Sequence, residues 1–332
     1  MESVTINRTP LVSVIVPAFN SEDYIERTIE TVFAQTFTDL ELIVVDDGSM
    51  DGTALIVQNL TRKYLGIRLI EQENRGIAAA RNKGIVESRG ELIAILDADD
   101  LWHPAKLQRQ VEYLDLNHDV SVVNCYSAVV DVDGLHLGWR FGGVSKGNVY
   151  RQMLKQDLVA GGSVPLIRRR ALQACGLFDE ELSTRCDWDL WLRLSRKFSF
   201  GTVPQALVGY TRRPNSASHN YEDMLEVGVA VLQKVTERDP DFSESMRRFC
   251  QARDAFAIAS MCFIDESTSE AWKYIQRSIS VSPKPVLSSP RRVGVILLLT
   301  VSTALPGFLY RALFNNLARL TFNLKPGRPF QE

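Results

Sequence analysis

Adjacent aspartates follow two short apolar runs in the first hundred residues. Asp46-Asp47 follows Leu42–Val45, and Asp97-Ala98-Asp99-Asp100 follows Leu92–Leu96. Clustered carboxylates are costly unless a cation or a hydrogen-bond donor compensates them. Hard divalent cations such as Mg²⁺ and Mn²⁺ prefer oxygen ligands and can stabilise charge on a departing diphosphate. The second turn therefore predicts a divalent-cation site, with an acidic helix cap ahead of Pro104 as the alternative.

Apolar runs typical of buried strands precede these turns. Val12–Val16, Leu42–Val45 and Leu92–Leu96 are such runs, and Ser21–Phe37, between the first two, has apolar residues at helical spacing. Alternating strands and helices predict an α/β fold with a Rossmann-like, mostly parallel sheet flanked by helices. Such sheets bind ligands beyond the carboxyl ends of their strands, where Pro17-Ala18-Phe19-Asn20 joins the two acidic turns.

The pattern divides the chain into three parts. Residues 1–220 form the predicted α/β domain, with one half at about 11–103 and a second at about 104–220. Residues 221–282 have a helical pattern and form a C-terminal helical extension, and residues 283–332 form a proline-containing linker and a basic, apolar tail. The elements predicted in the second half are the strands Val120–Val132 and Leu135–Arg140, joined as a hairpin by Asp133-Gly134, the strands Ser163–Ile167 and Gly201–Tyr210, and the helix Asp187–Lys197.

The tail contains an uncharged segment, Val293–Tyr310, that is interrupted by Pro306-Gly307 and flanked by Arg292 and Arg311. As a straight helix it would be about 27 Å long, close to the roughly 30 Å of a bilayer's hydrocarbon core. Basic residues on both flanks favour a segment that lies on the cytoplasmic face of the membrane rather than crossing it. The alternative is a pair of apolar helices packed on the protein's own core.

Composition excludes several classes of protein. The formal net charge of −2 gives no basic excess for nucleic-acid binding. Five cysteines, an odd number without any C-x-x-C pair, fit reduced thiols in a cytoplasm better than disulfides or a zinc site. The polar segment Met1–Pro10 lacks the apolar core of a signal peptide, so we expect a cytoplasmic protein, peripheral on the membrane through its tail.

Four stretches match the motifs of one family. Val12–Asn20, Glu41–Thr53, Asn74–Gly84 and Leu96–Asp100 resemble, in this order, those of the inverting family-2 glycosyltransferases with the GT-A fold. The resemblance covers about residues 11–213. It implies that the first half of the α/β domain binds a nucleoside-diphosphate sugar and that the second half binds the acceptor.

The resemblance assigns the nucleoside to the first two strand ends. Phe19 would stack on or flank the base, while Pro17 and Ala18 would offer backbone groups. One of Asp46 and Asp47 would accept a hydrogen bond from the base, and a uracil imide N–H suits a carboxylate acceptor. The alternatives are core packing for Phe19 and helix capping for one of the two aspartates.

The same resemblance assigns the diphosphate and the cation. Arg75-Gly76 and Arg81 lie before the acidic turn, and a guanidinium can pair two phosphate oxygens at once. Alternatively, Arg81 pairs with a carboxylate of the acidic turn. In Asp97-Ala98-Asp99, Asp97 would contact the ribose and Asp99 would be the direct ligand of Mn²⁺ or Mg²⁺, with Asp97 beside it. Asp100 would orient the metal's surroundings or cap the next helix.

An inverting transfer also needs a general base that takes the proton of the acceptor hydroxyl. By the resemblance, Asp187 is that base, and Cys186 stands where the family commonly has Glu. Asp189 is the competing candidate in the same turn. A purely structural aspartate at a helix start is the alternative for Asp187.

The function implied is metal-dependent, inverting transfer of a sugar, from a UDP-sugar, to a glycan or lipid-linked acceptor in cell-surface polysaccharide biosynthesis. Two alternatives are open. Cys186 leaves open a catalytically impaired scaffold that binds sugar nucleotides. Leu96–Asp100 superficially matches the nucleophile strand of haloacid-dehalogenase-like phosphatases, although Leu101 stands where those have Thr or Val.

Overall fold

The computed structural model describes residues 9–143, 146–159, 161–213, 220–264, 267–288, 292–294 and 296–297. The strands are β1 (Val12–Ala18), β2 (Leu40–Asp46), β3 (Ile67–Glu71), β4 (Leu92–Ile95), β5 (Leu101–Trp102), β6 (Val120–Val130), β7 (His136–Phe141), β8 (Leu166–Arg168) and β9 (Ser199–Thr211). The helices are α1 (Ile25–Phe33), α2 (Thr53–Lys63), α3 (Ile77–Glu87), α4 (Lys106–Leu116), α5 (Tyr150–Met153), α6 (Arg169–Cys175), α7 (Cys186–Lys197), α8 (Tyr221–Arg238), α9 (Glu244–Ile264), α10 (Thr268–Val281) and α11 (Lys284–Leu287).

One sheet runs through the α/β domain in the order β3-β2-β1-β4-β8-β6-β9-β5, with β7 paired to β6. The first four strands are parallel, because α1, α2 and α3 carry the chain back between them. Every residue of β1 is buried, as expected for a parallel strand covered on both faces. The predicted α/β fold is confirmed.

The other half of the sheet is mixed. β8 is antiparallel to both β4 and β6, whereas β9 runs parallel to β6 and β5 is antiparallel to β9. The predicted hairpin is confirmed as β6–β7, although β6 ends at Val130 rather than Val132. β9 ends at Thr211, beside the acidic turn, because the Thr211 N–H donates to Asp100 Oδ1 (3.1 Å).

Two predicted elements are shorter in the structure. α1 begins at Ile25 rather than Ser21 and ends at Phe33, because the Thr36 N–H leaves the helix pattern and donates to the Pro104 carbonyl (2.9 Å). β8 begins at Leu166 rather than Ser163. β3 was not predicted, since an edge strand with only one fully buried residue has little apolar pattern.

The described residues fall into two compact units. One contains the chain up to Tyr150 with Leu158–Arg213, and the other contains Arg151–Asp157 and the helices from α8 onward. The helical unit has its own core, in which Phe256, Ile258 and Ile275 are buried. Within the described residues, no helix is long and apolar enough to span a bilayer. Most of the predicted membrane-surface tail lies outside the described residues.

Candidate active site

The ends of β1 and β2 are held together by Asn20. Its backbone has a positive φ of 47°, its N–H donates to Ser49 Oγ (2.9 Å), and its Oδ1 accepts from the Met50 N–H (2.9 Å). Phe19 beside it keeps 45% of its surface exposed, although it follows a fully buried strand. Core packing therefore does not explain Phe19, and its ring is available to a planar ligand.

Both carboxylate oxygens of Asp47 accept hydrogen bonds from neutral donors. Oδ1 accepts from Gln72 Nε2 (2.7 Å) and from the Arg75 N–H (2.9 Å), and Oδ2 accepts from the Gly76 N–H (2.8 Å). Gly48 completes the turn with a φ of 75°, where a Cβ would lie 2.9 Å from the Asn74 nitrogen. Asp47 thus shapes the loop before α3 rather than capping the next helix.

Asp46 has a different environment from its neighbour. Its Oδ1 accepts from the Ser49 hydroxyl, and among the described residues no protein donor is recorded for Oδ2. The carboxylate is buried at the end of β2. Of the two aspartates, Asp46 is the one with an acceptor oxygen left for a ligand.

Asp97 is held from two sides. Its Oδ1 pairs with Arg81 Nη2 (2.7 Å), and its backbone N–H donates to Ser163 Oγ (3.0 Å). A Cβ on Gly162 would lie 2.7 Å from Arg81 Nη2, so only glycine fits against this ion pair. Of the two alternatives for Arg81, the structure shows the pairing with the acidic turn; its phosphate contact stays a prediction.

Asp99 pairs with a second guanidinium. Arg213 Nε lies 2.6 Å from Asp99 Oδ2, and the Arg213 guanidinium stands 5.3 Å from the centre of the Tyr24 ring. Burial raises the pKa of Asp99, and Asp97 adds to the rise, whereas Arg213 opposes it. The negative charge of the turn is therefore only partly compensated, which favours a further cation.

Asp100 is buried and braces the acidic turn. Its Oδ2 accepts from Ser163 Oγ (2.5 Å) and its Oδ1 from the Thr211 N–H, so it ties the turn to the segment before β8 and to the end of β9. Burial, followed by repulsion from Asp99 and Asp97, raises its pKa well above the ordinary value. These contacts, rather than a cap on α4, account for Asp100.

The predicted base lies in the first turn of α7. Asp187 is partly exposed. Asp189 is fully buried, and its Oδ2 pairs with Arg193 Nε (2.7 Å). Asp189 therefore holds the helix in place, and Asp187 is the carboxylate that a ligand can reach.

Arg81 joins the acidic turn to this helix start. Its Nη2 holds Asp97 while its Nη1 lies 3.5 Å from Cys186 Sγ, next to Asp187. Burial alone would lower the pKa of Arg81, but Asp97, Cys186 and Asp187 raise it overall. Burial also raises the pKa of Cys186 to about 11, so the thiol is neutral. The buried Arg81 guanidinium thus pairs with Asp97 and contacts the neutral thiol next to Asp187.

Other candidates have structural contacts. The Arg75 side chain is exposed and pairs with Glu180 (3.1 Å), so in this structure it points to the surface. His103 Nδ1 accepts from the Ala105 N–H, which fits a turn rather than a ligand site. Trp188 and Trp191 are buried in the core. His219 lies outside the described residues.

Sequence reasoning missed the roles of Ser163 and Arg213. Ser163 contacts Asp97, 66 positions away in the chain, and Arg213 contacts Asp99, 114 positions away. No local pattern reveals contacts at such separations. The only signals were the glycines before Ser163 and the polar run around Arg213. In the described chain no three His, Cys, Asp or Glu side chains group as a metal site. The assignment of a cation to Asp97 and Asp99 stays a prediction.

The sequence matches known proteins over the same region. The family model described as Glycosyl transferase family 2 matches residues 13–176. TuaG of Bacillus subtilis, described as a putative teichuronic acid biosynthesis glycosyltransferase, is 34% identical over 216 residues, which are 64% of this chain and 84% of TuaG. Chondroitin synthase of Escherichia coli is 33% identical over 199 residues, which are 59% of this chain and 28% of that enzyme.

Solved structures share the fold. TarS 1-349 of S. aureus in complex with UDP has a TM-score of 0.60 at 20% identity, over 83% of this chain and 85% of that one. The mannosyltransferase PcManGT of Pyrobaculum calidifontis, in complex with GDP-Man and Mn²⁺, has a TM-score of 0.57 at 20% identity, over 85% of this chain and 89% of that one. These likenesses confirm the GT-A fold that the sequence predicts.

Proposed function

The chain belongs to glycosyl transferase family 2 and is a glycosyltransferase, and we propose that it is a metal-dependent, inverting enzyme that uses a UDP-sugar. The acceptor is a glycan or a lipid-linked glycan. TuaG and chondroitin synthase, both named for polysaccharide synthesis, support a role in making a cell-surface polysaccharide. The free cysteines fit a location in the cytoplasm. The tail of residues 283–332 would lie on the membrane surface.

The nucleoside binds at the ends of β1 and β2. The exposed Phe19 ring supports a stacking contact with the base, and the Asp46 oxygen without a recorded protein donor supports a hydrogen bond from its N–H. A carboxylate accepts from the imide of uracil, and TarS, with the same fold, was solved with UDP. Pro17 and Ala18 contribute backbone groups, and Gly76 and Arg81 contribute to the diphosphate site. Arg75 joins them only if its side chain leaves Glu180.

The donor set of the acidic turn fits a divalent cation. Asp97 and Asp99 offer only oxygens, and Mg²⁺ or Mn²⁺ in such sites takes one or two carboxylates with phosphate oxygens and water. Burial raises the pKa of Asp99 and the neighbouring Asp97 raises it further, and a bound cation would favour the charged form of both carboxylates. When bound, the cation stabilises the charge that develops on the leaving diphosphate.

Asp187 takes the acceptor's proton. As the acceptor oxygen bonds to the anomeric carbon, its proton passes to the Asp187 carboxylate, and the bond from the anomeric carbon to the diphosphate breaks. Asp187 lies in the first turn of α7 and is partly exposed, so an acceptor can reach it. Arg81 keeps Asp97 oriented toward the ribose throughout, since it is buried and paired with that carboxylate.

The observation that carries this proposal is the arrangement around Arg81, which holds Asp97 and contacts Cys186 next to Asp187. The acidic turn Asp97–Asp100 and the start of α7 are thus fixed relative to each other by one side chain. In a panel of sugar-nucleotide donors, we expect the enzyme to release the nucleoside diphosphate fastest from a UDP-sugar and only with Mn²⁺ or Mg²⁺. Release that is independent of metal, or absent with every donor, would contradict the proposal.

The base assignment is tested by Asp187→Asn. Because the neutral amide cannot take the proton, turnover should fall by about 10²- to 10⁴-fold while UDP affinity stays unchanged. Asp223→Asn, which changes another first-turn aspartate, in α8, is the matched control and should keep full turnover. Equal loss of UDP binding in Asp187→Asn would indicate a structural role instead.

A second candidate is a scaffold that binds sugar nucleotides without turnover. It is favoured by Cys186, whose neutral thiol faces Arg81 where the family commonly has a carboxylate. The scaffold would bind UDP with Mn²⁺ but release no diphosphate from any donor and acceptor, and Asp187→Asn would then change nothing.

A further inference from the structure

The backbone around Arg213 is fixed while its side chain reaches back to the acidic turn. The Thr211 N–H donates to Asp100 Oδ1, and the Arg212 N–H donates to the Val130 carbonyl (2.9 Å). These bonds anchor the end of β9. From there Arg213 Nε lies 2.6 Å from Asp99 Oδ2. The contact is therefore set by the fold and not by a free surface side chain.

The two guanidinium groups of the site differ in how firmly they are held. The Arg81 side chain is only 4% exposed and is enclosed by Asp97, Cys186 and the Phe178 ring (5.2 Å). The Arg213 side chain is 28% exposed, and besides Asp99 it contacts the face of the Tyr24 ring. Although its Nε is buried against Asp99, the rest of the Arg213 side chain is reached by water, so Arg213 can leave its carboxylate more readily than the enclosed Arg81.

The Arg213 guanidinium and a divalent cation oppose each other at the Asp99 carboxylate. Whichever oxygen each of them contacts, two positive groups at one carboxylate repel each other and so weaken each other's binding. Loss of the ion pair with Arg213 would leave Asp99, which is 15% exposed, beside Asp97 without compensation. A cation that takes the place of Arg213 restores that compensation.

We propose that Arg213 is a positioning residue that acts through Asp99: it neutralises this carboxylate in the donor-free enzyme and competes there with the divalent cation. This inference rests on the proposed function, since it takes Asp99 as a metal ligand. It follows that the cation alone binds weakly. Arg213 keeps the acidic turn assembled until the donor brings further oxygen ligands for the metal.

The test measures Mn²⁺ binding to the full chain without nucleotide, from the electron paramagnetic resonance signal of free Mn²⁺. Arg213→Gln removes the competitor, so it should bind Mn²⁺ about three- to tenfold more tightly than the wild type. Tyr24→Leu removes only the ring under the guanidinium and should give about a twofold gain. Arg109→Gln removes an exposed charge of α4 that pairs with Glu112 rather than with the acidic turn, and it should change nothing.

Asp99→Asn separates this inference from the function on which it rests. If Asp99→Asn binds Mn²⁺ as well as the wild type, the metal is not at the acidic turn and the proposed site itself fails. If Asp99→Asn loses binding but Arg213→Gln matches the wild type, competition is overturned and the metal site stands. Should Arg213→Gln not fold, as judged by circular dichroism, wild-type affinity in Tyr24→Leu overturns the inference.

Discussion

The two acidic strand ends compensate their charge in different ways. At the end of β2, Asp47 is surrounded by neutral donors, the N–H groups of Arg75-Gly76 and the amide of Gln72. At the end of β4, the turn Asp97–Asp100 is compensated by two guanidinium groups. Both arrangements stabilise carboxylates in a low-dielectric site, but they do so with amide dipoles in one case and with charges in the other.

The difference indicates which of the groups that compensate each strand end a ligand can replace. Two of the three donors to Asp47 are backbone N–H groups, which cannot leave without unfolding the loop, so Asp47 is a permanent brace. Of the two guanidinium groups, that of Arg213 is on a partly exposed side chain and can be replaced by another cation at lower structural cost than the buried Arg81. The charge-compensated turn is therefore the end suited to a metal, and the amide-compensated end is suited to a nucleoside that stays neutral.

The largest expected effect comes from removing the buried guanidinium. Arg81→Gln leaves Asp97 uncompensated and should lower the free energy of unfolding by about 3 kcal/mol. Chemical denaturation measures this, with the exposed Arg109→Gln expected within about 0.5 kcal/mol of the wild type. The double variant Arg81→Gln/Asp97→Asn should recover most of the loss, and an additive loss would mean that the pair does not interact.

A smaller effect is expected at the amide-compensated end. Asp47→Asn replaces a charged acceptor of three hydrogen bonds by a neutral amide, which should lower the free energy of unfolding by about 2 kcal/mol. Mn²⁺ affinity should remain that of the wild type, because no metal contact is lost. A variant that is fully stable but binds Mn²⁺ more weakly would reverse the roles of the two strand ends.

The smallest effect, counted per pH unit, concerns a buried cation with neutral partners, the reverse of Asp47. Lys106 Nζ contacts Gln110 Oε1 (2.9 Å) and the Trp102 ring (3.9 Å), and burial lowers its pKa to about 8. The unfolded lysine keeps its proton up to about pH 10.4, so the unfolded state binds more protons between these values. The free energy of unfolding should therefore gain, from this group, a positive slope above about pH 8, of at most about 1.4 kcal/mol per pH unit.

Thermal or denaturant melts at several pH values between 7 and 10 show whether this slope exists. Lys106→Met should remove it, whereas the exposed Lys83→Met should keep it. A wild-type profile identical to that of Lys106→Met would mean that Lys106 titrates as an ordinary lysine despite its burial.

Local patterns were sufficient for the parallel half of the fold. Apolar runs such as Val12–Val16 and the helical spacing of Ile25, Ile29 and Val32 depend only on neighbours in the chain, and all of these residues are buried as predicted. The polar strand ends followed from the geometry of parallel sheets, which brings the carboxyl ends of neighbouring strands to one edge.

Contacts between residues far apart in the chain account for what the sequence did not show. The two-residue strand β5 exists only because β9 pairs with it, and Ser163 and Arg213 gain their roles from contacts with the acidic turn. The division of labour between Asp46 and Asp47 depends on where the loop before α3 places its N–H groups. None of these choices is encoded in spacing alone.

The most direct test of the charge-compensated turn is the affinity for UDP measured by isothermal titration calorimetry, with and without saturating Mn²⁺. We expect Mn²⁺ to tighten UDP binding by about tenfold or more in the wild type, because metal and diphosphate share the carboxylates of the turn. In Asp99→Asn this gain should disappear while the fold remains intact. UDP binding that is indifferent to Mn²⁺ in the wild type, or an undiminished gain in Asp99→Asn, would contradict the account.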